Sequence, residues 1–193
     1  MRRILRLLAC GAVVLSLVAC TPTGRAVGDT QDSMPSIAHD STHKTDITVG
    51  FVGSTDTSAD KKAIDALADD TLNVYYASLD TSGDSETADK IAATAQQGVT
   101  DFVDRAVKIV IISGIDVTDA NRDSWNQALT NAREAGIPVA LLNPKHAPED
   151  ELLYAATLNT DDAASAKSVS IADAVITITR DEPHDRTIAV ATE

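Results

Sequence analysis

The feature that most constrains the fold is the run KIVIIS at 108–113, in which apolar residues follow one another without alternation. Successive side chains of a strand point to opposite faces of its sheet, so a strand with one wet face alternates apolar and polar residues. A strand without alternation is buried on both faces, as in a parallel sheet covered by helices. The segment therefore predicts a parallel sheet with helices on both sides.

Other apolar runs alternate along the chain with patterns of helical period. We predict further strands at 47–53, 72–79, 139–143, 152–159 and 187–192, and helices at 58–70, 85–106, 119–135 and 161–178. Strands that alternate with helices are typical of βαβ units. We expect an α/β fold with an open, doubly wound, mostly parallel sheet of flavodoxin-like strand order 2-1-3-4-5.

The helix predicted at 119–135 has one apolar face. Trp125, Ala128, Leu129 and Ala132 recur at helical spacing, which predicts that Trp125 belongs to the core rather than to a ligand platform. Gly136 suits the position after the helix end, where a left-handed conformation costs little.

The amino terminus, MRRILRLLACGAVVLSLVACTPTG, is typical of a secretion signal, with arginines before an apolar run and small residues before Cys20. The residues before and including Cys20, LVAC, resemble a bacterial lipobox. This resemblance implies a signal peptide at 1–19, cleavage before Cys20 and lipidation of its thiol. The protein would then be anchored on the extracytoplasmic face of the cell membrane. An ordinary signal peptide or an uncleaved anchor are the alternatives.

Residues 20–45 are rich in Ser, Thr, Asp and Gly and show no apolar periodicity. They predict a disordered tether between the lipid and an α/β lobe at 46–193. His39 and His43 are four residues apart, as metal ligands on a helix would be. Nothing in this segment fixes a helix, which favours two solvated histidines instead.

Charge and cysteine content exclude several classes of function. The formal net charge is −13, and it becomes −16 if the three arginines of residues 1–19 are removed. Such acidity argues against nucleic acid and anionic lipid headgroups as partners. Both cysteines lie within the first 20 residues, which leaves none for a disulfide or a thiolate metal site in the lobe.

Ligands of doubly wound sheets bind outside the carboxyl ends of the strands. Hydroxyl, amide and charged groups follow the predicted strands at this edge: Ser54, Asp56, Asp80, Ser113, Asp116, Asn143, Lys145 and Asp161. Such groups recognise neutral polyols, because each sugar hydroxyl both donates and accepts a hydrogen bond. The alternative is that these residues only cap helices and line polar loops.

Common enzyme motifs are absent from the sequence, which contains no GxxxxGK[ST], GxGxxG, GxSxG or HExxH. We therefore expect neither an enzyme nor a cofactor. The aspartates at 56, 80 and 116 loosely resemble the acidic pocket of a receiver domain, but the lysine expected after strand five is missing. Asp161-Asp162 could hold Mg²⁺ or Ca²⁺, although adjacent acids at a helix start are usually a cap.

Three segments resemble the first lobe of the sugar-binding proteins of ABC transporters, of the ribose, xylose and galactofuranose type: QQGVTDFVDRAVKIVIISGID, SWNQALTNAREAGIPVALLN and LNTDDAASAKSVSIADAV. The second is the most specific, because its Trp, Leu, Ala-Arg and AGIPV follow the family's order and spacing. The resemblance covers about residues 47–180. It implies one lobe of a type 1 periplasmic-binding-protein fold, a sugar ligand and an ABC permease as partner.

The resemblance also shows departures. The family places an acid and an arginine after the AGIPV strand, where this chain has Asn143 and Pro144, with Lys145 next. The aromatic platform expected after the first strand is missing, whereas Asp161 matches the aspartate after strand five. Family members also have a second lobe. We therefore expect a truncated or degenerate sugar-binding lipoprotein, or else a lipoprotein that kept the fold as an interaction module without a ligand.

Overall fold

The computed structural model describes residues 24–31, 43–79, 88–161 and 167–192. The strands within these ranges are β1 (Thr48–Val52), β2 (Asn73–Ala77), β3 (Ile109–Ser113), β4 (Val139–Leu142), β5 (Ala156–Asn159), β6 (Val169–Ser170) and β7 (Thr187–Ala191). The α-helices are α1 (Thr57–Asp69), α2 (Ala88–Asp104), α3 (Arg122–Glu134) and α4 (Ile171–Thr179). Short 3-10 helices at Lys44–Asp46 and Glu151–Leu153 precede β1 and β5.

The strands form one sheet of order β2-β1-β3-β4-β5-β7-β6, in which every neighbouring pair is parallel. The predicted α/β class and the order 2-1-3-4-5 are confirmed, and β7 and β6 extend the sheet beyond β5. All five residues of β3 are buried, as its unbroken apolar run predicts.

The core consists of two layers, one on each face of the sheet. Ile109 and Ile111 of β3 pack into the layer under α1 and α4. Val110 and Ile112 pack into the layer under α2 and α3, which also holds Trp125. Helices thus cover both faces of the sheet, and only the two edges formed by the amino and carboxyl ends of the strands are left uncovered by helices.

Gly50 explains how closely α2 approaches the sheet. A Cβ added at Gly50 would lie 2.5 Å from Cγ of Phe102, on α2. Real Cβ atoms do not come so close to another heavy atom, so any side chain at this position would push the Phe102 ring away. The glycine in β1 therefore sets the depth at which α2 packs.

Two predicted element boundaries were wrong by four residues or more. The fifth strand begins at Ala156 rather than at residue 152, because residues 151–153 form a 3-10 helix whose Leu152 N–H is capped by Asp150 Oδ1. The last helix begins at Ile171, with Ser170 Oγ accepting from the N–H of Asp173 at 2.9 Å. Serine is a strong helix N-cap. Asp161 lies in the turn after β5, so it does not cap this helix.

The predicted disordered tether is contradicted for residues 24–31, which pack against the lobe. Asp29 is 4% exposed, and its Oδ2 accepts from Arg186 Nη1 at 2.5 Å. His184 Nε2 contacts the carbonyl oxygen of Gly28 at 2.7 Å. Arg186 directly precedes β7, so this segment lies at the amino ends of the strands. The compositional signal for disorder missed contacts that form between residues about 157 positions apart.

The predicted signal peptide, Cys20 and the rest of the tether lie outside the described residues. None of the helices in the described ranges is long and apolar enough to cross a membrane.

Candidate functional site

The carboxyl ends of the strands form an edge with two depressions. The first, which we name the polar cleft, has a volume of about 680 Å³ and is lined by Asp56, Ser58, Lys62, Ser113, Asn143 and Thr160, among others. The second, the apolar cavity, has a volume of about 120 Å³ and an apolar wall of Leu79, Ile91, Ala92, Ala95, Ile112, Ile115 and Trp125. Ser54, Asp116, Asn121 and Lys145 are among its polar lining residues, and Ser113 lines both depressions.

The polar cleft contains groups without partners among the described residues. Ser113 is 8% exposed, and its hydroxyl makes no hydrogen bond to another described residue. The Lys62 ammonium likewise has no ion pair within the described ranges. Asp56 caps α1, with its Oδ1 accepting from the N–H of Ala59 at 3.0 Å. The cleft therefore offers a hydroxyl, an ammonium and a carboxylate to a ligand, in a volume typical of small-molecule sites.

A buried carboxylate organises the loop between β1 and α1. Asp60 is 1% exposed and accepts from the N–H of Ser54 at 2.6 Å and from its hydroxyl at 3.0 Å. The hydroxyl of Tyr76 also donates to Asp60, and the pKa of Tyr76 is raised above its usual 10.0 by partial burial, by the negative charge of Asp60 and by this hydrogen bond. Both the N–H and the hydroxyl of Ser54 are therefore used to fix the loop between β1 and α1.

The ends of β3 and β4 carry a matched kink. Ser113 and Leu142 are register partners, and the residues after them, Gly114 and Asn143, have φ angles of +61° and +45°. Glycine and asparagine are the residues that tolerate this left-handed region best. Beyond the kink the segments that follow β3 and β4 pair again at Asp116 and His146. Residues 115–116 and 144–146 thus form a short paired ledge above the edge of the sheet.

The side chain of Asn143 is committed to the neighbouring strand end. Its Nδ2 donates to Thr160 Oγ1 at 2.7 Å, and its Oδ1 accepts from the N–H of Thr160 at 2.9 Å. The amide oxygen is used inside the protein, and the amide nitrogen retains one N–H. Asn143 therefore lines the cleft mainly as a structural residue.

The ledge places charged groups beside the apolar cavity. Asp116 Oδ1 lies 2.7 Å from Nδ1 of His146, whose side chain is 73% exposed. Lys145 is exposed and makes no ion pair or hydrogen bond through its ammonium with another described residue. One carboxylate of the ledge is therefore paired, while its lysine is available.

The structure divides the predicted site residues between the two depressions. Asp56, Ser113 and Asn143 line the cleft, and Ser54, Ser113, Asp116 and Lys145 line the cavity. Asp161 is exposed in its turn and lines neither, and Asp80 lies outside the described residues. Ligand contacts by these residues stay predictions. No group of three or more His, Cys, Asp or Glu side chains that could hold a metal ion occurs in the described part of the chain.

Sequence reasoning missed Asp60, Lys62, His146 and Thr160. In the sequence, Asp60 and Lys62 look like solvent-exposed positions of a charged helix. Asp60 follows the cap residue Asp56 by one helical turn, and this spacing is the one local signal that the two carboxylates lie close together. Thr160 and His146 matter through partners 17 and 30 residues away, which no local pattern encodes.

Three solved structures similar to this chain are sugar complexes or sugar-binding proteins. A galactofuranose binding protein is 16% identical, with a TM-score of 0.46, over 74% of this chain. The arabinose ABC transporter binding protein of Shewanella sp. ANA-3 is 16% identical, with a TM-score of 0.45, over 74% of this chain. A Mycobacterium smegmatis protein in complex with β-D-fucofuranose is 15% identical, with a TM-score of 0.47, over 75%.

The matched region covers 56%, 54% and 55% of those three proteins, so this chain spans about half their length. No protein-family model matches the sequence, and no curated protein matches it either.

Proposed function

We propose that this protein is a solute-binding module that takes a neutral monosaccharide in the polar cleft. The observation that carries the proposal is the hydroxyl of Ser113, which lies in the polar cleft at the carboxyl edge of the sheet without a hydrogen-bond partner among the described residues. Doubly wound sheets bind ligands at this edge. A hydroxyl without a protein partner is free to donate to a ligand and to accept from it.

The chemistry of the cleft suits a sugar better than an ion. Lys62 and Asp56 contribute opposite charges, which leaves no net charge to select an anion or a cation. A sugar hydroxyl donates and accepts, so it can bond both groups as well as Ser113. Ala59, Ala63 and Leu142 add apolar lining, against which the C–H face of a sugar ring can pack.

We expect weak affinity from this lobe alone. A site that closes around its ligand on all sides forms more hydrogen bonds than a cleft open on one side. Losing three hydrogen bonds of roughly 1 kcal/mol each weakens binding about 100-fold. A dissociation constant of about 1 mM, equivalent to about −4 kcal/mol, is therefore our expectation for the best monosaccharide.

The test is a titration of the ¹⁵N-labelled protein with ribose, xylose, galactose, fructose and arabinose, followed by amide chemical shifts. We expect saturable shifts confined to the cleft for at least one sugar. Ser113→Ala and Asp56→Asn should weaken that binding; asparagine retains the helix cap. Asp104→Asn, at the exposed end of α2, is the matched control. If no sugar shifts the cleft amides at millimolar concentration, the proposal is wrong.

The cellular setting of this function belongs to the same proposal. A lipid on Cys20 would hold the lobe on the extracytoplasmic face of the membrane, and an ABC permease would receive the sugar. Support comes from the lipobox-like sequence and from the resemblance of the lobe to transporter binding proteins.

A second candidate function is an interaction module without a ligand. Tyr75 and Tyr76 on the edge strand β2 are 46% and 43% exposed. As successive strand residues they lie on opposite faces of the sheet edge, where a protein partner could contact either one. The sugar titration separates the two functions, because the interaction module predicts no shifts in the cleft.

A further inference from the structure

The apolar cavity is a second candidate site, on the opposite face of the sheet from the polar cleft. Its wall comes from α2, α3 and the end of β3, and it includes Ile91, Ile112 and Trp125. An engineered apolar cavity of about 150 Å³ binds benzene. At about 120 Å³, this cavity has room for a branched alkyl group or a compact ring.

The amide of Asn121 and one carboxylate oxygen of Asp116, at the polar end of the cavity, are engaged within the protein. Asn121 Oδ1 accepts from the N–H of Thr118 at 2.8 Å, and its Nδ2 donates to the carbonyl oxygen of Asp116 at 3.1 Å. The Asp116 carboxylate faces His146 Nδ1 at 2.7 Å. The Lys145 ammonium, by contrast, has no partner within the described ranges, so it can meet an anionic group of a ligand, although the negative charge of Asp116 lies in the same lining.

Trp125 supplies a second unused donor in the same wall. The side chain is 2% exposed, and its Nε1 is buried without a hydrogen-bond partner among the described residues. Buried indole N–H groups usually have one. Lys145 and Trp125 together therefore leave two donors without partners among the described residues, beside an apolar space.

We infer that the apolar cavity binds a small apolar carboxylate. The alkyl or aryl part occupies the space against Ile112 and Trp125, and the carboxylate accepts a charge-assisted hydrogen bond from Lys145. This site is separate from the sugar site proposed above and does not depend on it.

The fluorescence of Trp125, the sole tryptophan of the sequence, reports directly on the wall of the cavity. Wild-type protein is titrated with benzoate and isovalerate, and with benzyl alcohol and benzylamine as neutral and cationic counterparts of benzoate. We expect saturable fluorescence changes with both carboxylates, weaker binding of benzyl alcohol and none of benzylamine.

Two variants separate the polar and the apolar contributions. Lys145→Gln should weaken benzoate binding about tenfold, as expected for the loss of a charge-assisted hydrogen bond. The affinity of the variant for benzoate should then be close to its affinity for benzyl alcohol. Lys108→Gln, an exposed lysine at the opposite edge of the sheet, should leave both affinities unchanged. Ala92→Leu should fill the cavity and abolish binding, with Ala95→Leu as a second choice if the first variant does not fold.

Two results would overturn the inference. One is the absence of a saturable change with either carboxylate at millimolar concentration. The other is unaltered benzoate binding in Lys145→Gln or in a folded cavity-filling variant, because the ligand would then lie elsewhere.

Discussion

Asn143 and Thr160 join the carboxyl ends of β4 and β5 through two hydrogen bonds made by a single amide, at 2.7 and 2.9 Å. The same asparagine has a φ of +45°, a conformation that other non-glycine residues adopt at a greater cost. The sequence predicts Asn143 as a ligand-binding residue, and that role stays a prediction. In the structure its side chain fixes the shape of this edge.

We predict that Asn143→Ala lowers the free energy of unfolding by about 3 kcal/mol, from two hydrogen bonds of about 1 kcal/mol each and a left-handed backbone that costs alanine about 1 kcal/mol. Asn143→Gly should lose only the hydrogen bonds, about 2 kcal/mol. Urea unfolding of both variants measures the difference. Equal stability of the alanine and glycine variants would contradict the backbone contribution.

The pair formed by Asp29 and Arg186 should hold residues 24–31 on the lobe. The Asp29 side chain is 3% exposed, and the Arg186 guanidinium also lies 4.4 Å from the centre of the Tyr154 ring. Removing one partner of a buried pair leaves an uncompensated charge, so Arg186→Ala should cost about 3 kcal/mol. The measurement is urea unfolding, combined with limited proteolysis within residues 24–31.

Asp65→Asn is the matched control for that experiment, because the Lys61–Asp65 pair is exposed on α1. It should change the stability by less than about 0.5 kcal/mol. Unchanged stability and protease resistance in Arg186→Ala would show that residues 24–31 are held by other contacts.

Alkaline pH should destabilise the protein through Tyr76. Its pKa in the folded state is raised by partial burial and by Asp60, so the unfolded chain loses the phenolic proton first as pH rises. The stabilising contribution is complete below the unfolded pKa of about 10 and disappears as pH passes the folded value. Unfolding free energies measured from pH 8 to 11 should fall less steeply for Tyr76→Phe; parallel profiles would refute the assignment.

Lipidation of Cys20 is a prediction that rests on the sequence alone. Cys20→Ala should remove the acceptor thiol and release the protein from the membrane fraction. Cys10→Ala is the control, since too little apolar sequence precedes it for processing at that site. The readout is fractionation of the native host with mass spectrometry of the mature amino terminus. A wild-type mature amino terminus that does not begin with a lipidated Cys20 would exclude the lipid anchor.

The sequence by itself determined the architecture of the sheet. The unbroken run at 108–113 predicted burial on both faces, and the alternation of strands and helices predicted the order that β2, β1, β3, β4 and β5 adopt. The apolar face of α3 placed Trp125 in the core, where it is 2% exposed. These features could be predicted because the spacing of apolar residues within a single strand or helix indicates which of its faces is buried.

Only the tertiary structure decided what the edge residues do. It bound Asn143 to Thr160, buried Asp60 beneath Ser54 and split the predicted rim into a polar cleft and an apolar cavity. It also placed residues 24–31 against Arg186, where composition had predicted a free tether. The physical reason is that a polar side chain takes its role from the partner that satisfies it, and these partners become neighbours only when the sheet has assembled.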